Sequence, residues 1–408
     1  MKSKQKKVKI SRRLKQQAVQ LLNDPKFLFR ACQKVGELGV VGEKRNRLIL
    51  LLAAIARVFP EPPSVLLKGE TSSGKSTLVK KALQLFPPTC VVERAGLSKK
   101  ALLHGKGSLA HKILFIHEHR CGKDAQQLLR LLQSEGKITH EFTTIGARKR
   151  GTSIVQRVGI PVVLSTTTEK KVFADDETRF LSSYVDDSPE QNLAIVTARA
   201  KGPQITNSSD VHIWRAAMSL LSCRAGDFEQ HPEWLQYVAK QLPLDDARVR
   251  RDWNRFVVFC QAVALCRVFR RGQPVNIRFS DYCVAYKIFE PAFSSTLRGL
   301  PTQELNLVKA IATLNKTFKR SVTGREIARE LDWNEKVVYK RAKEAEQSRL
   351  IEYEKGTRER NVKLISIASK VPSEFLPSPK IVFRHNPAIG KKVKYVDPFS
   401  GEWKTIKR

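Results

Sequence analysis

The chain has 408 residues, with 74 Lys and Arg against 39 Asp and Glu, a formal net charge of +35. That length suggests two to three compact domains, and 41% hydrophobic residues with 19 Phe exclude a wholly disordered chain. So large a positive excess repels itself unless a polyanion neutralises it, which makes nucleic acid the first candidate partner and an anionic membrane surface the second. The longest apolar run, Leu48 to Phe59, contains Arg57 and is too short to span a bilayer. No secretory apolar segment follows the basic N-terminus. The seven cysteines have the spacing of neither a zinc knuckle nor a disulfide framework. The expectation is a soluble protein of the reducing cytoplasm.

In chain order, residues 1 to about 20 carry eight Lys and Arg and no acid. They read as a solvated tail or as an arm that contacts phosphates. Residues 21–60 read as two helices, the second stopped at Pro60-Glu61-Pro62-Pro63. Residues 64–200 alternate short apolar runs with helical stretches, the pattern of a parallel sheet with crossover helices. From Asp210 to about Leu297 the runs are helical and rich in aromatics. The expected divisions are an N-terminal arm with helices (1–45), an α/β core (46–205), a helical lid (206–297), a helix-turn-helix with a wing (298–368) and a basic C-terminal tail (369–408).

Ser64 to Lys68 reads as a strand and Leu78 to Phe86 as part of a helix. Between them stand Gly69, Glu70, Thr71, Ser72, Ser73, Gly74, Lys75, Ser76 and Thr77, the pattern G-x-x-x-x-G-K-[ST] in its required context. The glycines let backbone N–H groups wrap a phosphate chain at a helix N-terminus. Lys75 would bridge the β- and γ-phosphates of ATP, and the Ser76 hydroxyl would ligate Mg²⁺.

A second apolar strand, Lys112 to Ile116, ends in His117-Glu118-His119. A carboxylate at such a strand end orients water and holds Mg²⁺. His117 stands where an Asp is usual, so Glu118 is assigned to water activation, with an indirect role at Mg²⁺ through a coordinated water. His117 and His119 share one strand face by spacing, but with no further close ligands they read as polar residues at a strand end. A third strand, Ile160 to Leu164, ends in Ser165-Thr166-Thr167-Thr168. In ring-forming P-loop ATPases a polar residue here senses the γ-phosphate, which makes Thr166 the candidate and Thr167 its rival. Arg179, soon after that strand, stands where such ATPases place a finger offered to the neighbouring subunit. The alternative is a surface pair with Asp175 or Asp176.

Lys137–Ile145 and Thr152–Val158 are β-rich runs around a Gly-bounded turn, which predicts a hairpin with Arg148, Lys149 and Arg150 at its tip. The tip reads as a phosphate tracker in a ring pore or as a solvated turn. Further on, Leu305 to Phe318 is an amphipathic helix, and Thr323 with Glu326 makes a capping box for a short helix to Leu331. A turn at 332–334 leads into a helix from Glu335, and two strands flank a basic loop holding Arg358 and Arg360. This order is that of a winged helix-turn-helix. Lys336, Tyr339, Lys340 and Lys343 recur at helical spacing and are the expected DNA contacts, the alternative being a domain that packs on protein.

Several stretches together carry a family likeness: Asn23-Asp24-Pro25, Gly39 to Lys44, Gly69 to Thr77, Leu131 to Thr139, Asp175 to Leu181, Asp186 to Gln191 and Val249 to Asp252. They resemble the AAA+-like ATPase module of bacterial and archaeal TOPRIM primase-helicase proteins, which are frequent in plasmids, phages and other mobile elements. The resemblance covers about residues 20–290. It implies ATP bound at Gly69 to Thr77, Glu118 and Arg179 as catalytic groups, and a second nucleotide sensor at Arg250 or Arg251, with Arg248 and Arg255 competing. The sequence starts near the ATPase module, so primer synthesis is not carried over. The fold class expected is α/β: a P-loop NTPase sheet with helices on both faces, a helical lid and a C-terminal winged helix-turn-helix. The function expected is an ATP-dependent DNA-translocating ATPase, a replicative helicase or replication initiator of a mobile element. It would work as a homo-oligomeric ring, a hexamer being one size open to it. Single-stranded DNA would run in the pore, duplex would lie at the winged helix, and a separate primase or polymerase would be a further partner. The second reading is an ATP-switched DNA-binding regulator that assembles without unwinding.

Overall fold

The computed structural model describes residues 10–408 apart from 106, 120–121, 146–149, 170–171, 173, 203–209, 223–230, 268–275, 348–349, 356–362 and 369–373. The chain opens with three helices: α1 (Arg12–Leu22), α2 (Phe27–Glu37) and α3 (Lys44–Ile55). Ser11 caps α1 by accepting the Leu14 N–H at 3.3 Å. Residues 12–20 were expected to be a tail or arm, and here the structure differs. Basic residues cover one side of an amphipathic helix whose Ala18 and Leu22 are fully buried. Charge count alone hid that stripe. In α3 every residue from Asn46 to Ile55 is buried, so the helix runs through the interior.

The α/β core follows as β1 (Ser64–Lys68), α4 (Lys75–Leu83), β2 (Val91–Arg94), α5 (Lys99–His104), β3 (Ile113–Ile116), α6 (Lys123–Glu135), β4 (Lys137–Ile145), β5 (Arg150–Val158), β6 (Val162–Thr167), α7 (Ala174–Glu177) and β7 (Phe180–Tyr184). Five strands form a parallel sheet in the order β2-β3-β6-β1-β7. All residues of β1, β3 and β6 are buried, as central parallel strands covered on both faces must be. The strands β4 and β5 pair antiparallel as a separate hairpin inserted between β3 and β6.

The remaining elements are α8 (Pro189–Ala200), α9 (Val211–Leu221), α10 (Trp234–Lys240), α11 (Val249–Arg267), α12 (Phe279–Arg298), α13 (Thr302–Phe318), β8 (Val322–Thr323), α14 (Gly324–Leu331), α15 (Glu335–Gln347), β9 (Ile351–Lys355), β10 (Lys363–Ile367), α16 (Pro379–His385), β11 (Lys392–Val396) and β12 (Trp403–Lys407). Three apolar clusters hold these parts. One joins a sheet face to α1–α4, α9–α12 and the stretch from Phe375 to Phe383. A second fills the other sheet face under α5 and α6. The third lies within α13–α15 and the three-stranded antiparallel sheet β8-β10-β9.

Residues 369–408 are therefore no appended tail in their described part. Phe375, Leu376, Val382 and Phe383 are fully buried, and the Tyr282 hydroxyl donates to the Pro377 carbonyl at 2.6 Å. The described lysines of this segment are exposed and mask an apolar stripe too short to stand out by periodicity. The capping box on α14 forms as Thr323 and Glu326 require, and the Arg320 guanidinium with Thr323 pulls Glu326 down to about 2. Among the described residues no helix is long and apolar enough to cross a membrane.

Candidate nucleotide site and basic surfaces

Between β1 and α4 the chain turns twice through backbone conformations with positive φ, at Ser72 (66°) and Gly74 (81°). Gly69 must be glycine for another reason: a Cβ there would meet Val185 Cγ2 at 2.3 Å. The result is a loop that closes on itself ahead of the α4 N-terminus, whose first N–H groups have no helical partner. Lys75 Nζ crosses the loop to the carbonyls of Gly69 (3.0 Å) and Glu70 (2.5 Å) and to Ser73 Oγ (3.1 Å). Burial pulls the Lys75 ammonium below its ordinary value, and the charges of Glu118 and Glu70 oppose that shift. Glu118 is thus within electrostatic reach of Lys75. Ser76, in the first turn of α4, is half-buried, while Glu70, Thr71 and Thr77 are exposed. Backbone donors, a lysine and a hydroxyl fit a triphosphate with a divalent cation.

The strand ends beside this loop are tied together. Thr166 was expected to sense phosphate, but its buried hydroxyl donates to the His117 carbonyl and its own carbonyl accepts the His119 N–H at 2.8 Å. Its side chain fixes the backbone that carries Glu118. Thr167 Oγ1 accepts the Glu169 N–H at 3.0 Å. His117 and His119 do not share a face, because β3 stops at Ile116. His117 packs at a tilt against Phe115 and meets Glu93 at the end of β2, whereas His119 is buried edge-on against Phe180. Among the described residues no group of three or more His, Cys, Asp or Glu could hold a metal alone.

Arg179 lies at the other end of the sheet. Register pairs Ser64 with Phe180 and Lys68 with Tyr184, so the residue before Phe180 stands beside the start of β1 while the loop leaves its end. The separation along the strand is about 13 Å. There Arg179 donates to Ser134 Oγ at the end of α6. Asp175 and Asp176, its expected surface partners, instead meet Arg130 at 3.4 and 2.9 Å. Burial and the adjacent guanidinium groups of Arg251 and Arg130 hold Arg179 below its ordinary value.

Arg248, Arg251 and Arg255, at the start of α11, gather at the same end. Arg248 and Arg255 flank the fully buried Asp252 at 2.9 and 2.6 Å and donate to the carbonyls of Phe180 and Thr178. Arg251 donates to Thr178 Oγ1 at 2.9 Å. The expectation of a second sensor for the chain's own nucleotide at Arg251, Arg248 or Arg255 is corrected accordingly, because all three bind the sheet end remote from its P-loop. Arg250 is exposed.

Of the residues expected at DNA, Arg148, Lys149, Arg358 and Arg360 lie outside the described residues, and Arg150 is described only by its backbone pairing with Ile145. Lys336, Lys340 and Lys343 are exposed on α15. Tyr339 departs from that face: it is half-buried over Gly324, where a Cβ would come within 2.6 Å of its ring. Lys340 faces Glu70 of the P-loop at 3.9 Å.

Two positions with contacts around the P-loop domain escaped sequence reading. Glu93 lay on a strand too short and polar to stand out. Arg341 is buried between Glu304 (2.7 Å) and Asp187 (2.8 Å), clamping α15 to the P-loop domain. Arg341→Ala leaves Glu304, 2% exposed, without its counter-charge, at a cost of about 3–5 kcal/mol. Its melting temperature should fall by several degrees and recover in the double variant with Glu304→Gln. An unchanged melting temperature in the single variant would sink the clamp.

The chain has similarities to solved structures, all at low identity and low TM-score. The Aeropyrum pernix ORC1 protein in complex with DNA is 14% identical, with 81% of this chain and 90% of that one covered and a TM-score of 0.24. The NtrX protein of Brucella abortus in complex with ADP is 14% identical, with 67% and 70% covered and a TM-score of 0.25. The apo NrS-1 C-terminal region is 10% identical, with 89% and 77% covered and a TM-score of 0.27. No curated protein matches. The fold is a P-loop fold, with the P-loop strand β1 set between β6 and β7 in the five-stranded parallel sheet. The chain belongs to the MTBMA_p00010 P-loop domain family, whose match runs over residues 13–219, just over half of the 408.

Proposed function

We propose that the protein is an ATP-dependent DNA-translocating ATPase, a replicative helicase or replication initiator of a mobile element. The observation that carries the reading is the division of groups between the two ends of one sheet. Lys75, Ser76 and Glu118 surround the P-loop end, and Arg179 stands among crowded arginines at the other. A subunit of this kind is complementary to a second copy of itself, head to tail, and such contacts close into rings. A γ-phosphate presented to Arg179 by the neighbour would relieve the repulsion of its cationic surroundings.

In the proposed mechanism Lys75 holds the β- and γ-phosphates and Glu118 orients water. Mg²⁺, when bound, supplies charge neutralisation beside Ser76, and the neighbour's Arg179 stabilises the transferring phosphoryl group. The β4–β5 hairpin, nine residues on each strand, is the arm that would carry the basic tip along single-stranded DNA. We read α13–α15 with β8–β10 as a winged helix-turn-helix on duplex DNA, with Lys336, Lys340 and Lys343 as its contacts. A cytoplasmic setting suits the five described cysteines, all free and buried.

The deciding experiment is ATP hydrolysis with and without single-stranded DNA. Strong stimulation supports the motor. Tight ATP binding with negligible turnover, unaffected by DNA, supports the second reading, a nucleotide-switched DNA binder. His117 in the Asp place and the Arg341 clamp between α15 and the P-loop domain favour that switch. Both readings require DNA to answer to salt. With roughly six to ten phosphate contacts, affinity falls about 10³–10⁵-fold between about 50 and 200 mM salt. A flat response would mean that the +35 serves something other than DNA.

A further inference from the structure

The place of the cation-orienting aspartate is held by His117, and a carboxylate reaches it from the side. The edge strand β2 runs parallel to β3 with Glu93 opposite Phe115. Register puts Glu93 and Phe115 on one face of the sheet, and the His117 ring, just past the end of β3, packs against Phe115 on that face. It is the face toward α4, since Ile113 and Phe115 pack in the cluster that holds Leu78, Val79 and Ala82, while Leu114 and Ile116 pack in the other. Glu93 Oε1 meets His117 Nε2 at 2.5 Å and Lys80 Nζ at 3.2 Å. The His117 ring rests on Phe115, centroids 4.5 Å apart, and its carbonyl is bonded by Thr166. Lys80 follows Ser76 by four residues on α4, so the two share a helix face about 5–6 Å apart. The Glu93–His117 pair therefore faces the side of α4 that carries the hydroxyl expected at the cation.

A carboxylate on one ring nitrogen is how proteins orient an imidazole that binds a metal through the other. In the tautomer whose Nε2–H donates to the Glu93 carboxylate, the lone pair is on Nδ1. We infer that Glu93 and His117 together replace the missing aspartate: His117 ligates the nucleotide-bound cation through Nδ1 beside Ser76 Oγ, and Glu93 is its positioning residue. The inference rests on the nucleotide site proposed above. No described cluster of side chains can hold the cation alone, so nucleotide phosphates must complete its shell. One nitrogen donor among oxygens changes which cation is preferred. Imidazole suits first-row transition ions, whereas Mg²⁺ is served by carboxylate, carbonyl and water. The site should favour Mn²⁺ over Mg²⁺ more than an aspartate site does.

The test uses the full chain with Mn²⁺ and ADP, and reads electron spin-echo modulation from ¹⁴N at the Mn²⁺ ion. The expected result is a directly coordinated nitrogen in the wild type that is absent from His117→Asp. The Mn²⁺ over Mg²⁺ preference should drop about tenfold or more in that variant. Glu93→Gln, nearly isosteric, should keep the fold and weaken Mn²⁺ binding about 10–100-fold. Bound Mn²⁺·ADP without nitrogen coupling, or equal cation preference in wild type and His117→Asp, would overturn the assignment while leaving the nucleotide site standing. Failure of a fluorescent ADP analogue to bind at all would remove the nucleotide site itself, and this inference with it.

Discussion

Lys75→Ala is expected to bring ATP hydrolysis to background, a loss of at least about 10²–10³-fold, and to cancel the stabilisation that ATP gives the wild type. At a nucleotide concentration of about 100 times Kd that stabilisation is about 2.7 kcal/mol, readable as a shift in melting temperature. The expectation follows from where the ammonium sits. It is 8% exposed and held by two carbonyls and a hydroxyl of the loop, which aim it across the concavity where phosphates would lie. Truncation removes the one cation that the loop itself supplies, while its backbone donors remain. The variant should fold, because the two carbonyls and Ser73 Oγ lie in a loop whose flanking residues are exposed and can turn to water. The measurement is steady-state hydrolysis with single-stranded DNA, alongside melting with and without ATP. If Lys75→Ala unwound a forked duplex as fast as wild type, the motor would be dead.

The parts legible in the sequence share one property: local chemistry fixes their spacing. The loop from Gly69 to Thr77 must place a lysine and a hydroxyl in the first turn of a helix, and the capping box must place Glu326 three residues after Thr323. Both lie where the residues put them. What escaped depends on contacts between distant segments. Arg341 reads as one more cation on a basic helix until Asp187, 154 residues away, meets it. Arg248 and Arg255 read as sensor candidates until they meet the backbone of Phe180 and Thr178. Tyr339 fits a DNA-facing repeat by spacing, yet its ring fills the space over a glycine of the preceding helix. Charged termini mislead for a related reason. The Lys and Arg of α1 and of the C-terminal segment dominate composition, while the few apolar residues between them decide burial. The carboxylate beside His117 was hidden because neighbouring strands in a parallel sheet are joined through a helix, so their ends meet without any sequence period to announce it.

Arg179→Ala should lower ATP hydrolysis about 10³–10⁵-fold without weakening ATP binding, the signature of a group that acts on the transition state from outside the site. Glu118→Gln should be equally inert while still binding ATP. The two defects are predicted to lie on opposite sides of a shared interface, so mixing the inactive proteins should restore turnover. In an equal mixture that exchanges subunits, about a quarter of head-to-tail interfaces carry both intact groups. Activity should recover toward that fraction. No arrangement within one chain gives this result, because Arg179 lies about 13 Å along β1 from the P-loop end of the sheet and is bonded to the end of α6. The competing role is structural. An arginine that only braces Ser134 would lower the melting temperature when removed, leave hydrolysis per folded molecule near normal, and gain nothing from mixing. Recovery in the mixture separates the two, since a stabilising contact within one subunit cannot be supplied by another.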